Sequence, residues 1–323
     1  MKMNSSKVFF LSCMIIGVMM SLCSNNWLFI WCGLEMSLIS FIPLMSSNMI
    51  LSSESCLKYF LIQSISSSIL IMGLMMMIMN KIYYDFMITI SVIMKMGVAP
   101  FHTWILMVCE GLTLMPMILM FSITKVAPLM VLSFMKLSIS IIISVTLMTG
   151  AILGINQSST RKIVAYSSIF NMGLILMSIN NNFVWCYYLA VYSLLILILI
   201  VILFKMNMFY TNQVIMNEVT ASSKINLLTS ILSLGGLPPF IGFSIKLLVI
   251  EFSINQMMTI NLILMIMMSL LIMFFYLRIV YLSILFFTTS PKWVILSTTN
   301  LSLWWLSMNI LFLPMMLTIK MFD

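Results

Sequence analysis

Charge is the feature that this sequence most conspicuously lacks. Only 7% of its 323 residues are charged, whereas a water-soluble domain carries about 25%. Hydrophobic residues make up 63% of the chain. Too few polar side chains are left to cover a water-facing surface, which excludes a soluble globular protein and favours a protein embedded in lipid.

Metal ligands and nucleotide motifs are also scarce. The chain has one histidine, His102, and six cysteines with no CxxC spacing. These residues predict no metal site, and no iron–sulfur cluster or haem bound by this chain. Since no GxGxxG follows a strand and no GxxxxGK[ST] is present, binding of NADH, flavin or ATP is not expected either.

Acidic residues are few, seven against fifteen lysines and arginines, which gives a net charge of +8. A basic balance often indicates nucleic-acid binding. Here the lysines are scattered singly, with no basic run or basic helix face. We therefore expect no nucleic-acid partner and attribute the excess to the bias that orients membrane proteins.

Residues with GC-rich codons are depleted, while methionine is abundant. The chain has two arginines, Arg161 and Arg278, and 38 methionines. An AT-rich genome that reads an isoleucine codon as methionine gives this composition, which indicates an animal mitochondrial gene. Translation inside the organelle needs no transit peptide, and the first apolar stretch is predicted to be a retained helix.

Apolar stretches of the length needed to span a bilayer recur along the whole sequence. Short polar connections separate them and leave no room for a soluble domain. We predict an all-α membrane protein, a single transmembrane domain over residues 1–323 with about eleven transmembrane helices. The predicted spans are 8–24, 27–45, 57–79, 86–109, 114–134, 137–155, 162–179, 183–204, 225–250, 257–287 and 301–319.

The positions of lysine and arginine in the loops predict the orientation. With the N-terminus on one side, that side collects eight of these residues and the opposite side three. The positive-inside rule then places the N-terminus on the matrix side and the C-terminus on the intermembrane-space side.

Two of the spans contain helix breakers. The fourth span includes KMGVAPFH at 95–102 and the ninth LGGLPPF at 234–240. Because they lie five spans apart, we predict two inverted five-helix repeats, about 8–135 and 137–287, followed by a C-terminal helix at about 301–320. Each break disrupts backbone hydrogen bonds and favours internal water, although a simple kink is the alternative.

Four charged residues occur at depths where hydrocarbon is expected: Glu35, Lys95, Lys125 and Lys246. Each costs at least ~2.5–3.5 kcal/mol at the bilayer centre. A lysine whose charged and neutral forms are close in energy can take up and release a proton, as a relay requires. Static ion pairs are the alternative, but three central lysines facing one glutamate leave charge uncompensated.

Other polar residues have simpler interpretations. His102 is either a hydrogen-bonded structural residue or a further relay next to the first break. Glu54 and Lys58 are spaced as a surface pair at a helix start, and residues 158–160 as a helix N-cap cluster. Arg278 is expected to have a partner, which the sequence does not identify.

These motifs together resemble a known family. They are WCGLEMS at 31–37, LKYF at 57–60, KMGVAPFH at 95–102, EGLT at 110–113, TKVAPL at 124–129, RKIVAYSSI at 161–169 and LGGLPPF at 234–240. In order and content they resemble the antiporter-like subunits of mitochondrial NADH:ubiquinone oxidoreductase (respiratory complex I), in the subunit 2 form of short insect or arthropod type. The resemblance extends from about residue 4 to 287.

The resemblance implies roles for the charged residues. Glu35 and Lys95 would form the central pair of one half-channel, Lys125 would be the connecting lysine, and Lys246 the terminal one. Acidic residues that the wider family carries before Arg161 are replaced here by Asn156 and Gln157.

The resemblance also implies function and surroundings. The chain would translocate protons across the mitochondrial inner membrane as a subunit of an NADH:ubiquinone reductase, while NADH, FMN, iron–sulfur clusters and ubiquinone bind partner subunits. Other membrane-arm subunits and lipid, with cardiolipin among the candidates, are the expected partners. A cation/proton antiporter subunit without electron transfer and a structural scaffold of the membrane arm are the alternatives.

Overall fold

A computed structural model describes residues 5–47, 49–79, 83–135, 139–213 and 221–287 of the protein, without the side chains of 221–224 and 282–287. These ranges are helical apart from connections and one isolated bridge, Ser159 to Tyr210. The helices are α1 Ser5–Cys23, α2 Trp27–Met45, α3 Ile50–Ile78, α4 Tyr84–Met96, α5 Thr103–Gly111, α6 Leu114–Phe121, α7 Ile123–Phe134, α8 Ser140–Ile155, α9 Thr160–Met177, α10 Asn182–Lys205, α11 Ala221–Gly235, α12 Ile241–Asn255 and α13 Thr259–Phe287.

Six stretches in these ranges are long and apolar enough to cross a bilayer: Ser5–Cys23, Trp27–Met45, Ile50–Ile78, Leu114–Phe134, Asn182–Lys205 and Thr259–Tyr281. Large apolar side chains on several of these helices are exposed, among them Leu28, Met72 and Leu270. Lipid or another apolar surface must cover them. The chain is therefore a multi-pass membrane protein. The predicted eleventh span lies outside the described residues.

Predicted and observed helix boundaries differ in places, as the third and fifth predicted spans show. The third helix begins at Ile50, not at 57, because its N-terminal turns carry their own polar contacts. The hydroxyl of Ser52 donates to the Ser47 carbonyl at 2.7 Å, and Lys58 pairs with Glu54 at 3.6 Å as expected. The predicted span 114–134 consists of two helices that meet at Ser122, whose hydroxyl donates to the Ile118 carbonyl.

The described residues fall into two compact units, one up to Thr146 and the other from Leu147 onward. In the first unit α1 packs closely along α2 through facing glycines. A Cβ on Gly17 would lie 2.8 Å from the Ser37 nitrogen, and one on Gly33 would lie 2.6 Å from the Gly17 carbonyl oxygen. Small residues at this crossing let the two backbones approach, which fixes the position of α2.

In the second unit α9 is almost entirely buried among its neighbours. The predicted capping by residues 158–160 is only partly correct. Ser159 occupies the N-cap position but its hydroxyl makes no cap hydrogen bond, whereas Thr160 donates its hydroxyl to the Met208 carbonyl at 2.8 Å. A contact with the segment after α10 therefore anchors the start of α9.

Arg278 on α13 has backbone partners. Its Nη1 donates to the Ile155 carbonyl at 2.9 Å and its Nη2 to the Gln157 carbonyl at 2.6 Å. These carbonyls belong to the last turn of α8 and the residues after it, where the negative end of the helix favours a cation.

Candidate functional site

The first break begins where α4 ends in a tight left-handed turn. Gly97 has φ +66°, a conformation that glycine adopts without strain. The Val98 nitrogen donates to the Ile93 carbonyl and the Gly97 nitrogen to the Met94 carbonyl, which is the Schellman pattern of helix termination. Two of the four carbonyls that the helix end leaves free are thereby bonded.

Side chains from other helices bond the remaining two carbonyls of α4. The Gln63 amide on α3 donates to the Lys95 carbonyl at 3.2 Å. The ammonium of Lys125, on α7, donates to the Met96 carbonyl. The broken helix is thus terminated with its carbonyls paired, and a buried lysine is one of the partners.

Lys95 itself lies in the last turn of α4 and pairs with Glu35 on α2. Its Nζ lies 3.4 Å from Glu35 Oε1. The Lys95 side chain is 4% exposed and that of Glu35 22%. The carboxylate and the negative end of α4 together offset the charge of Lys95. Glu35, Lys95 and Lys125 therefore converge on one helix end.

A small pocket adjoins this group. Its volume is about 20 Å³, enough for a water molecule, and the residues that line it include Ser37, Tyr59, Gln63, Lys95, Trp104 and Thr124. Thr124 immediately precedes Lys125 on α7. The pocket therefore lies between Lys95 and the helix that carries Lys125.

The second break repeats the hydrogen bonds of the first. Gly236 has φ +84°, its nitrogen donates to the Ser233 carbonyl, and the Leu237 nitrogen donates to the Leu232 carbonyl. After each turn a phenylalanine nitrogen also bonds three residues back, Phe101 to Val98 and Phe240 to Leu237. Both breaks are thus built on the same backbone motif.

Lys246 bonds a terminal carbonyl of the second break, as Lys125 does at the first. Its Nζ donates to the Gly235 carbonyl at 2.5 Å, and the residue is 7% exposed. Met96 directly precedes the left-handed Gly97, and Gly235 directly precedes the left-handed Gly236, so the two residues occupy equivalent positions in the two breaks. Each break therefore places a buried ammonium on the last carbonyl of its first half-helix, where the helix dipole favours a cation.

His102 lies beside the first break, in the N-cap position of α5. It is half-buried, and its Nδ1 is shielded from solvent without a well-formed hydrogen bond. Among the hydrogen bonds of the described residues, none joins its ring to Lys95 or Lys125. Its role as a relay remains a prediction.

The side chains that bond the terminal carbonyls at the two breaks were not predicted from the sequence. Water or unspecified side chains were expected at the interrupted backbone, whereas Gln63, Lys125 and Lys246 donate hydrogen bonds to its carbonyls. The left-handed glycines Gly97 and Gly236 were the available signal, because a C-terminal glycine marks carbonyls that need partners or cations.

Comparison with known proteins then identifies the family. The model of the NADH:quinone oxidoreductase/Mrp antiporter transmembrane family matches residues 24–86 and 79–275. NADH-ubiquinone oxidoreductase chain 2 of Locusta migratoria is 35% identical over 305 residues, which cover 90% of this chain and 89% of that one. The chain belongs to the NADH-ubiquinone oxidoreductase chain 2 family.

A second chain-2 relative and two solved structures are also similar to this chain. Chain 2 of Anopheles gambiae is 35% identical over 318 residues, 93% of this chain and 92% of its own length. A chain of respiratory complex I from Thermus thermophilus shares the fold with a TM-score of 0.81 at 18% identity, over 88% of this chain and 71% of that one. A chain of the Mrp complex from Dietzia also shares the fold, with a TM-score of 0.69 at 16% identity. The match covers 84% of this chain and 59% of that one.

Proposed function

We propose that this chain-2 protein translocates protons as a core subunit of the membrane arm of NADH:ubiquinone oxidoreductase. The observation that carries the proposal is the pair of helix breaks, each holding a buried lysine on a terminal carbonyl. Family membership connects this arrangement with a respiratory enzyme. Electron transfer belongs to partner subunits, since this chain carries no recognisable motif for a redox cofactor.

The Glu35–Lys95 pair is the point at which charge would control proton movement. A charge arriving near Glu35 weakens its hold on Lys95, which then releases its proton more readily. The adjoining pocket has room for one water between Lys95 and Thr124, and we propose that this water passes the proton toward the neighbouring Lys125. Lys246 then serves as the terminal site, with His102 as a candidate relay beside the first break.

The repeated hydrogen bonds of the two breaks support one further part of the proposal. Two inverted five-helix repeats would place the breaks in equivalent helices, the fourth and the ninth of about eleven spans. In the cell, the protein would lie in the mitochondrial inner membrane, N-terminus in the matrix, among other membrane-arm subunits and lipid. NADH, FMN, iron–sulfur clusters and ubiquinone would bind those partner subunits.

Lysine-to-arginine variants test the relay most directly. Arginine can hold a terminal carbonyl or pair with a carboxylate, yet it does not release its proton in proteins. We expect Lys95→Arg, Lys125→Arg and Lys246→Arg to leave assembly and quinone reduction largely intact while proton pumping, measured in vesicles of the whole complex, falls several-fold.

The matched control is Lys58→Arg, because Lys58 is 45% exposed in a surface pair with Glu54. Its pumping should equal that of the unaltered complex. If the three buried arginine variants also pump fully, the lysines are static partners and the scaffold alternative is correct.

Similarity to an Mrp complex chain supports one competing function, cation/proton exchange without electron transfer. The two functions differ in what drives the protons. Pumping that requires NADH oxidation and stops with inhibition of quinone reduction supports the respiratory role, whereas a sodium gradient that drives proton movement through the chain supports exchange.

A further inference from the structure

A second buried polar group lies in the second unit, among α9, α10 and α13. We call it the tyrosine cluster, and its members are Asn171, Tyr188, Tyr192 and Tyr276. Asn171 is 5% exposed and each tyrosine 1%. No charged side chain belongs to the cluster, and none of its members is among the proposed relay residues Glu35, Lys95, Lys125 and Lys246.

Asn171 is held in one orientation by two hydrogen bonds. Its Nδ2 donates to the Ser167 carbonyl at 2.8 Å, and its Oδ1 accepts from the Tyr188 hydroxyl at 2.7 Å. The rings of Tyr188 and Tyr192 lie 6.4 Å apart between centroids. The amide is thus fixed next to the hydroxyls of α10.

Two hydroxyls of the cluster lack a well-formed hydrogen bond to the protein. The Tyr192 hydroxyl faces Ser168 and Asn171, and that of Tyr276 faces Ser167, but neither completes a well-formed hydrogen bond to the protein. A buried hydroxyl without a partner is costly and usually has an ordered water. The geometry points to a built site for water at these two hydroxyls.

The cluster adjoins the lysine of the second break through Gly235. The Tyr276 ring lies 3.7 Å from the position that a Cβ on Gly235 would take, and the Gly235 carbonyl accepts from Lys246. The ring therefore packs against the residue that holds the ammonium. The sulfur of Met273 lies nearer still, 2.5 Å from the same position, so Tyr276 and Met273 together cover Gly235.

We propose that the tyrosine cluster binds internal water and connects Lys246 to a proton path between α9, α10 and α13. In this path the water accepts a proton from the Lys246 ammonium, and each hydroxyl accepts one proton as it passes its own to the next water. No charge accumulates on a tyrosine. The inference rests on the proposed proton relay and adds residues to its terminal end.

The double variant Tyr192→Phe with Tyr276→Phe tests the path, because it removes both hydroxyls and keeps both rings. In the whole complex, at equal subunit content, we expect pumping to fall several-fold while quinone reduction persists, and the solvent deuterium isotope effect on pumping to change. Tyr281→Phe is the matched control, since Tyr281 lies on the same helix and is 64% exposed.

The second measurement is a map of the complex at a resolution that shows water. Water within hydrogen-bonding distance of the Tyr192 and Tyr276 hydroxyls supports the proposal, and its absence from both overturns it. If the double variant assembles poorly, Tyr276→Phe alone and the map of the unaltered complex still decide the matter.

Comparison with Lys246→Arg distinguishes a failure of the tyrosine path from a failure of the proposed proton relay. If that variant loses pumping and the double phenylalanine variant keeps it, the cluster has no part in the path and the relay stands. If both keep full pumping, the relay itself is wrong, and the tyrosine path falls with it.

Discussion

At the scale of single residues, backbone carbonyls do much of what counter-ions were expected to do. The prediction of four buried charges set three lysines against one glutamate. The structure pairs Lys95 with Glu35 but places Lys125 and Lys246 on helix-terminal carbonyls. A carbonyl holds a lysine through its dipole and carries no full negative charge.

Glu35→Gln tests the one buried ion pair described above. The substitution leaves Lys95 without its carboxylate, which we expect to destabilise the assembled subunit by about 1–3 kcal/mol, less than a fully buried pair would lose because Glu35 is partly exposed. Thermal inactivation of the purified complex measures the loss, and pumping should fall with it. Glu54→Gln, which removes the carboxylate of an exposed pair, should lower stability by less than about 1 kcal/mol. Equal losses in the two variants would show that the buried pair contributes no more than the exposed one.

Gly236→Ala tests how closely the second break fits its lysine. A Cβ there would lie 2.9 Å from Lys246 Nζ, and the residue has φ +84°. We expect a strain of about 1–2 kcal/mol together with displacement of the ammonium from the Gly235 carbonyl. Pumping measured at equal assembly should fall. Undiminished pumping would show that this carbonyl contact is dispensable.

At the scale of helices, the breaks are hydrogen-bonded terminations: all four last carbonyls of α4 have partners, and so do the Leu232, Ser233 and Gly235 carbonyls of α11. The sequence predicted their places from glycine and proline, and the observed helices end at Met96 and Gly235. It did not predict that α3 and α7 would supply the partners for α4. Such partners depend on which helices lie next to one another, and helix order along the chain does not determine that.

The α1–α2 crossing yields an element-scale prediction. Because α2 carries Glu35, a wider crossing moves the carboxylate relative to Lys95. We expect Gly17→Ala, whose new Cβ would meet backbone atoms of α2, to lower the thermal stability of the complex and to reduce pumping. Gly154→Ala is the comparison, because its Cβ would meet only side-chain atoms at 3.1 Å or more. A larger effect at Gly154 would contradict the argument.

At the scale of the whole molecule, the exposed apolar helices require a lipid or protein environment. Membership of the chain-2 family, predicted from seven motifs, is confirmed, and so is an antiporter-like helical membrane fold. The number of eleven spans, the inverted repeats and the orientation stay predictions.

Native electrophoresis after mild detergent extraction tests the predicted partners. We expect the chain to migrate as part of a large assembly that retains NADH:quinone reductase activity, because membrane-arm subunits would cover part of its apolar surface. An unrelated membrane protein of similar size, extracted in parallel, controls for aggregation. Migration of the native chain by itself would contradict the subunit role.

The sequence by itself determined the membrane environment, the apolar helices, the two breaks, the buried charges and the family. These properties follow from composition and local spacing, which act within a single span. The tertiary structure alone decided that Lys125 meets Met96, 29 residues away, that Arg278 binds the end of α8, and that Tyr188 of α10 binds Asn171 of α9. Such contacts join helices that are distant in sequence, and only the packing of one helix face on another determines them.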